Sequence, residues 1–170
     1  MAPMSKDGVA LDLATEVVRS FGSLRFAAYG ASMLPAIFPG DILQVRREAV
    51  DEFQAGDVVL FSRDSRFFAH RVICVEHNCD ELTLIVRGDA LATEDPPVHS
   101  AEILGRVVSL ERDGKLIAAS RKQSLWRSIL AWAMRRSDSL VSATLRLHSL
   151  RTRITRRAAS RGTPSVQESF

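Results

Sequence analysis

The chain has 170 residues, of which 46% are hydrophobic and 25% are charged, and its formal net charge at pH 7 is +3. This composition suits a folded domain with an apolar core and excludes a chain too polar to fold. No apolar run approaches the ~20 residues that a bilayer-spanning helix needs. Two cysteines do not make a disulfide framework, and the four histidines lack metal-ligand spacing, so we expect no metal and no cofactor.

The first predicted element is a short amphipathic helix over residues 9–20, because Val9, Leu13 and Val17 recur at helical spacing. Short segments rich in β-branched residues follow, and the Gly, Asp, Asn or Pro turns between them are typical of strands. The predicted strands are 24–29, 42–46, 58–62, 67–76, 82–87 and 103–111, then 116–118 after a hairpin turn at 111–115. The pattern predicts a mainly β fold, a compact barrel or sandwich with one short N-terminal helix.

A serine lies on a constrained bend between the first two predicted strands, in the sequence Gly30-Ala31-Ser32-Met33-Leu34-Pro35. Proline fixes its own φ and keeps the preceding residue out of the helical region, while Gly30 permits a tight backbone approach. An exposed serine hydroxyl on such a bend can act as a nucleophile if a base and oxyanion donors are near. Taken alone, Ser32 is better explained as an ordinary turn residue.

The candidate base is His70, which lies within the predicted strand 67–76. Histidine titrates near neutrality, so it can accept the serine proton and return it to a leaving amine, and it does this best when a carboxylate holds its other nitrogen. The acidic candidates lie after the next strand, at Asp89, Glu94 and Asp95. By itself, His70 is more simply explained as a half-buried strand histidine.

Four sequence pieces, in this order, resemble the signal peptidase I family of serine proteases over about 28–108. They are Ser32-Met33-Leu34-Pro35, then Gly40-Asp41, then His70-Arg71, and finally Gly88-Asp89 with Asp95 following. Common bacterial signal peptidases and the related self-cleaving SOS-repressor peptidases have a lysine base on this strand. The histidine here is similar to that of the signal peptidases of the endoplasmic reticulum, archaea and some spore-forming bacteria.

The resemblance implies a serine endopeptidase that cleaves a protein or peptide precursor through an acyl-enzyme. Ser32 would be the nucleophile, His70 the base and Asp95 the group that orients His70, with Asp89 more suited to securing its loop. Gly30 and Met33 are further supporting candidates. Gly30 stands where the eukaryotic-type enzymes carry a serine, so the oxyanion hole would rest on backbone N–H groups. The implied substrate is an extended polypeptide paired as a β-strand, with small side chains near the cut.

The chain changes character after residue 120. Residues 1–120 carry 12 Lys/Arg and 18 Asp/Glu, a net charge of −6, whereas residues 121–161 carry 11 Lys/Arg and one acid, a net charge of +10. Apolar residues recur in this basic segment at helical spacing, and Trp126 and Trp132 are among them. Such a helix suits an anionic membrane surface, and equally a helix packed on the domain. Nucleic-acid binding is favoured less, because arginine-rich tails attract phosphate without specificity.

These patterns divide the chain into four parts: a helix and lead-in over 1–24, a peptidase domain over 25–120, a basic amphipathic tail over 121–161 and a flexible end over 162–170. The N-terminus lacks the basic start and apolar core of a signal peptide, so we expect a cytoplasmic protein, peripheral to the inner face of the membrane if the tail binds lipid. The alternative function is a catalytically weak or inactive relative that binds peptides or membranes. A self-cleaving regulator is favoured least.

Overall fold

The computed structural model describes residues 6–78, 81–119 and 121. They form one α-helix and eight strands: α1 (Lys6–Phe21), β1 (Ser23–Ala27), β2 (Ile42–Arg46), β3 (Val58–Arg63), β4 (Arg66–Asn78), β5 (Glu81–Arg87), β6 (Val98–His99), β7 (Ile103–Arg112) and β8 (Lys115–Ala118). The predicted mainly β fold with a short N-terminal helix is therefore confirmed. The predicted basic tail and flexible end lie outside the described residues, apart from Arg121.

Every strand pairing is antiparallel, in the order β1-β2-β7-β3-β4-β5-β6, with β8 added to β7. Two long strands join the halves of this sheet. β7 pairs with β2, β3 and β8, and its register shifts opposite both β2 and β3. β4 pairs with β3 over residues 66–71 and with β5 over residues 71–78. The crossing point on β4 is therefore at His70 and Arg71.

Two apolar clusters fill the two halves of the sheet. One cluster packs Leu43, Val45 and Leu60 with residues of the Ser32 bend, and the other surrounds Phe61 and Val86. The strands that supply them are short runs of branched and aromatic residues whose alternate side chains turn inward, as in the exposed-buried alternation of β2. The Ser32 bend is thus supported from below by one cluster, and His70 borders the other.

Helix α1 is amphipathic and docks Val18, which is almost fully buried, against the sheet. It ends at Phe21, and the following Gly22, with a φ of +69° and an N–H that donates to the carbonyl of Val18, forms a left-handed C-terminal cap. Among the described residues, no helix has both the length and the hydropathy needed to cross a bilayer.

The predicted element bounds differ from the observed ones mainly at strand ends. β1 stops at Ala27, so Tyr29, which was predicted within this strand, lies in the following loop with 83% of its surface exposed. β4 begins one residue earlier and ends two residues later than predicted. The two-residue strand β6 was not predicted, because two residues are too few to show an alternation.

Candidate active site

Ser32 lies on the loop that joins β1 to β2, in a tight bend. Gly30 has a φ of +86°, a conformation that L side chains rarely adopt, and the N–H of Leu34 donates to the carbonyl of Ala31. Met33 and Leu34 are buried on the inner side of the bend. Burial of these neighbours fixes the bend on the apolar cluster and leaves Ser32 at the half-exposed upper surface.

The structure brings three of the predicted side chains into one chain of contacts. The Oγ of Ser32 lies 3.1 Å from Nε2 of His70, and Nδ1 of His70 lies 2.5 Å from Oδ2 of Asp95. Because a carboxylate accepts hydrogen bonds, Nδ1 carries the proton and Nε2 is left to accept from the serine hydroxyl. The three residues come from the first bend, from β4 and from the segment after β5.

Two aromatic rings hold the imidazole in place. His70 is 4% exposed, and its ring centre lies 6.0 Å from that of Phe61 and 6.1 Å from that of Phe68. Such packing leaves the ring little room to turn, so that both nitrogens stay aimed at their partners. The sequence motifs do not mark these two phenylalanines as site residues. The signal available was the alternation of β4, which puts Phe68 on the same side as His70.

The segment after β5 is attached to the nucleophile's own backbone. The N–H of Ala90 donates to the carbonyl of Ser32 over 2.8 Å, and the N–H of Asp95 donates to the carbonyl of Val86 over 2.9 Å. A Cβ on Gly88 would lie 2.7 Å from the Ser32 carbonyl oxygen, so only glycine fits there without movement. These contacts fix the distance between the loop that carries Asp95 and the bend that carries Ser32.

Asp89 belongs to a buried ion pair. Arg71 donates from Nε and Nη2 to the two carboxylate oxygens of Asp89 at 2.8 and 2.7 Å, and from Nη1 to the carbonyl of Gly56. This bidentate geometry anchors the start of the loop to β4, one residue beyond His70. Glu94, the remaining acidic candidate, is half exposed and faces Arg87 at 3.9 Å. Of the three acids, it is Asp95 that lies at hydrogen-bond distance from His70.

A second arginine clamps the far side of the Asp95 loop. Arg63 donates to the carbonyls of Pro96 and Pro97 and makes two bonds to the carboxylate of Glu102. The hydrogen bond from Arg63 lowers the pKa of Glu102 below its usual range, and the same bond raises the pKa of Arg63. No local pattern indicates this contact, because the partners lie 39 residues apart.

Two more aspartates occupy matching turns at strand starts. Asp41 accepts from the N–H of Phe38 and pairs with Arg112, while Asp57 accepts from the N–H of Gln54 and pairs with Arg121. Both are nearly fully buried. Each carboxylate accepts a hydrogen bond from a turn N–H that would otherwise lack a partner, so both aspartates stabilise the fold.

A cleft of about 680 Å³ opens beside Ser32 and His70. It runs between the loop after β1 and the first half of β4, and it is lined mainly by apolar and small residues that include Phe26, Tyr29, Gly30 and Phe67. Because of this lining, the cleft can accept an apolar or small-residue chain alongside the serine.

Within residues 6–78, 81–119 and 121, no group of three His, Cys, Asp or Glu side chains could hold a metal ion.

No curated protein matches this chain at a significant level. A family model described as Peptidase S24-like matches residues 6–108, which is 103 of the 170 residues. The matched region runs from α1 into β7 and contains the Ser32 bend, β4 and the Asp95 loop. The match supports the S24 peptidase superfamily, which includes serine peptidases and self-cleaving proteins, and does not extend to the signal peptidase branch named from the sequence. The chain belongs to the Peptidase S24-like family, a family of peptidase-type hydrolases.

Proposed function

We propose that this protein is a serine endopeptidase that cleaves a polypeptide precursor through an acyl-enzyme. The observation that carries the proposal is the unbroken line of contacts from Ser32 Oγ through the His70 imidazole to the Asp95 carboxylate. A histidine held by a carboxylate on one nitrogen and a serine on the other is the arrangement that general-base activation of a serine requires.

The chemical steps follow from these positions. Nε2 of His70 takes the Ser32 proton as Oγ attacks the scissile carbonyl, and it then gives that proton to the leaving amine. Asp95 keeps the other nitrogen protonated and stabilises the imidazolium that forms between the two steps. A water molecule activated by the same imidazole then hydrolyses the ester on Ser32.

The backbone of the bend supplies the oxyanion donor. Among the described residues, the N–H of Ser32 has no hydrogen-bond acceptor, so it is free to donate to the charge that develops on the substrate. Gly30 offers no hydroxyl, and its φ of +86° accounts for a glycine at a position where eukaryotic-type signal peptidases have a serine. An oxyanion hole that rests on backbone donors, with no side-chain hydroxyl at Gly30, predicts slow turnover.

The identity of the base supports the branch that we propose. A histidine on β4 resembles the signal peptidases of the endoplasmic reticulum and archaea, whereas the self-cleaving relatives carry a lysine there. An Ala-Gly pair, the dipeptide cut in those relatives, occurs at Ala55-Gly56. That pair lies in the turn before β3 and is tied to β4, since the N–H of Gly56 donates to the carbonyl of Val72. Cleavage of another polypeptide is therefore favoured over self-cleavage.

An extended substrate strand suits the open edges around the cleft. On the side away from β3, no described strand pairs with residues 66–70 of β4, because the pairing with β5 begins at Arg71. β1 is the terminal strand of the sheet and has its outer edge open among the described strands. Open edges supply backbone N–H and C=O groups to an added strand, which supports recognition of a polypeptide by β-pairing.

The test is intact-protein mass spectrometry after exposure to a fluorophosphonate probe. We expect one adduct on the wild-type protein and none on Ser32→Ala or His70→Ala. The matched controls are Ser23→Ala on β1 and His77→Ala on β4, both exposed, and we expect them to keep the adduct. An adduct that persists on a folded Ser32→Ala variant would overturn the proposal.

The second candidate is a relative that binds peptides without cleaving them, and Gly30 favours it because the bend carries no side-chain oxyanion donor. No adduct on the folded wild-type protein, together with retention of peptide, would support this candidate. Intact mass after prolonged incubation separates both from self-cleavage, because a cut at Ala55-Gly56 would give two defined fragments.

A further inference from the structure

The charge of the substrate cleft is concentrated in one residue. Its lining consists of small, apolar and aromatic side chains together with Ser32, Ser65, His70 and Arg66, and Arg66 is the one among them with a fixed charge. Arg66 is exposed at the first position of β4. An arginine at the end of an apolar cleft can select what enters, since its guanidinium binds carboxylates bidentately.

Arg66 differs from the arginine directly opposite it. Arg63 and Arg66 face each other across the two-residue turn at Asp64 and Ser65, where both φ angles are positive. Arg63 is held by Glu102 and by two carbonyl groups. Within the described part of the chain, no carboxylate lies within 4.0 Å of the Arg66 guanidinium, and even the neighbouring Asp64 forms no ion pair with it.

The position of Arg66 along β4 sets its distance from the reacting atoms. Arg66 lies four positions before His70, which is about 13 Å in a strand that rises ~3.3 Å per residue. The edge of β4 between these two residues is the open edge described above. A substrate strand paired there would therefore place a side chain near Arg66 about four residues from the scissile bond.

We propose that Arg66 is a specificity-determining residue that selects polypeptides with an acidic side chain three to five residues from the cut. This inference rests on the proposed peptidase function, because it assumes that the cleft holds the substrate. The partner is a polypeptide segment whose carboxylate neutralises the single unpaired charge of the lining, while its remaining residues pack on Phe26, Tyr29 and Phe67.

The test is cleavage of a mixed peptide library by the full-length protein, with products sequenced by mass spectrometry. We expect Asp and Glu to be enriched about threefold to tenfold at one position three to five residues from the cut, the range for one partly exposed charged contact. Arg66→Glu should replace this preference with Lys and Arg. The control is Arg47→Gln, an exposed arginine without an ion pair that lies outside the cleft, and its cleavage pattern should match wild type.

Binding of labelled library peptides to Ser32→Ala distinguishes this inference from the proposed function. If the wild-type protein cleaves nothing, yet Ser32→Ala retains acidic peptides and the Ser32→Ala/Arg66→Glu double variant retains basic ones, the peptidase proposal fails and the selectivity stands. If cleavage occurs with the same acid frequencies in wild type and Arg66→Glu, the selectivity is overturned and the peptidase proposal stands. If neither cleavage nor charge-dependent binding occurs, both are overturned.

Discussion

At the scale of single residues, the acids near His70 divide into two tasks. Asp95 contacts the imidazole, whereas Asp89 neutralises Arg71 in the interior. Both lie on the same short loop, where an aspartate looks the same in either role, so before the structure only the family resemblance distinguished their tasks. Their substitutions should therefore fail in different ways.

Asp95→Asn should slow the labelling of Ser32 by a fluorophosphonate about 10²-fold or more, because an amide no longer holds His70 in the tautomer that accepts the serine proton. The melting temperature should change little, since the Asp95 side chain is partly exposed at 24%.

Asp89→Asn should mainly lower stability. It leaves Arg71 buried without its anion, at a cost of about 3–5 kcal/mol in unfolding free energy. Labelling rates and thermal midpoints of both variants check this, and equal labelling of Asp95→Asn and wild type would contradict the role given to Asp95.

At the scale of elements, the site depends on a loop packed against a bend. The loop after β5 meets the Ser32 bend through the Ala90 N–H and through the absence of a side chain at Gly88. The nucleophile is thus positioned by two segments that are about 57 residues apart in sequence, and neither segment alone carries the geometry.

Gly88→Ala tests that packing. Its new Cβ would meet the Ser32 carbonyl oxygen at 2.7 Å, so the bend must shift, and a shift of a few tenths of an ångström lengthens the contact between Ser32 and His70. We expect labelling of Ser32 to fall about 10-fold or more. Gly114→Ala is the matched control: its site is open, and its φ of +73° costs stability without touching the bend. Equal labelling rates for the two variants would show that the loop does not position Ser32.

The clamp between β3 and the segment before β7 should make stability depend on pH. Arg63 lowers the pKa of Glu102 in the folded protein, so the folded state favours the ionised carboxyl more than the unfolded state does. This contribution is complete above the usual Glu value of 4.5 and is lost as the pH falls through the lower folded value. Glu102→Gln should therefore destabilise the protein by about 1–2 kcal/mol at pH 7, and by less at pH 3. Denaturant unfolding at both pH values measures this, and a penalty that does not change with pH would contradict the assignment.

At the scale of the whole molecule, charge is divided between the folded domain and the segment that follows it. Residues 1–120 carry a net charge of −6 and residues 121–161 carry +10. Arg121, the last described residue, is tied to the domain by its bond to Asp57. That bond raises the pKa of Arg121. The basic segment therefore starts from a fixed point on the domain.

We propose that this basic segment binds anionic membrane surfaces. The full chain should sediment with vesicles rich in anionic lipid, and a chain ending at residue 121 should not, because about 1 kcal/mol per basic residue is gained near such a surface. Added salt should release the full chain, since the attraction is screened. Vesicles of neutral lipid serve as the control. Equal sedimentation of the two chains would instead favour a tail packed on the domain.

The sequence by itself determined the strands and the identity of the nucleophile and base candidates. Strand 42–46 has the predicted bounds because its alternation is local, and Ser32 and His70 stand out because their neighbours form short motifs. Before the structure, only the family resemblance favoured Asp95 over Glu94 and Asp89. The tertiary structure brought Asp95 to His70, revealed the Phe61 and Phe68 contacts with His70, and joined Arg63 to Glu102. Periodicity is a property of adjacent residues, whereas these contacts depend on how the strands and loops are arranged around the sheet.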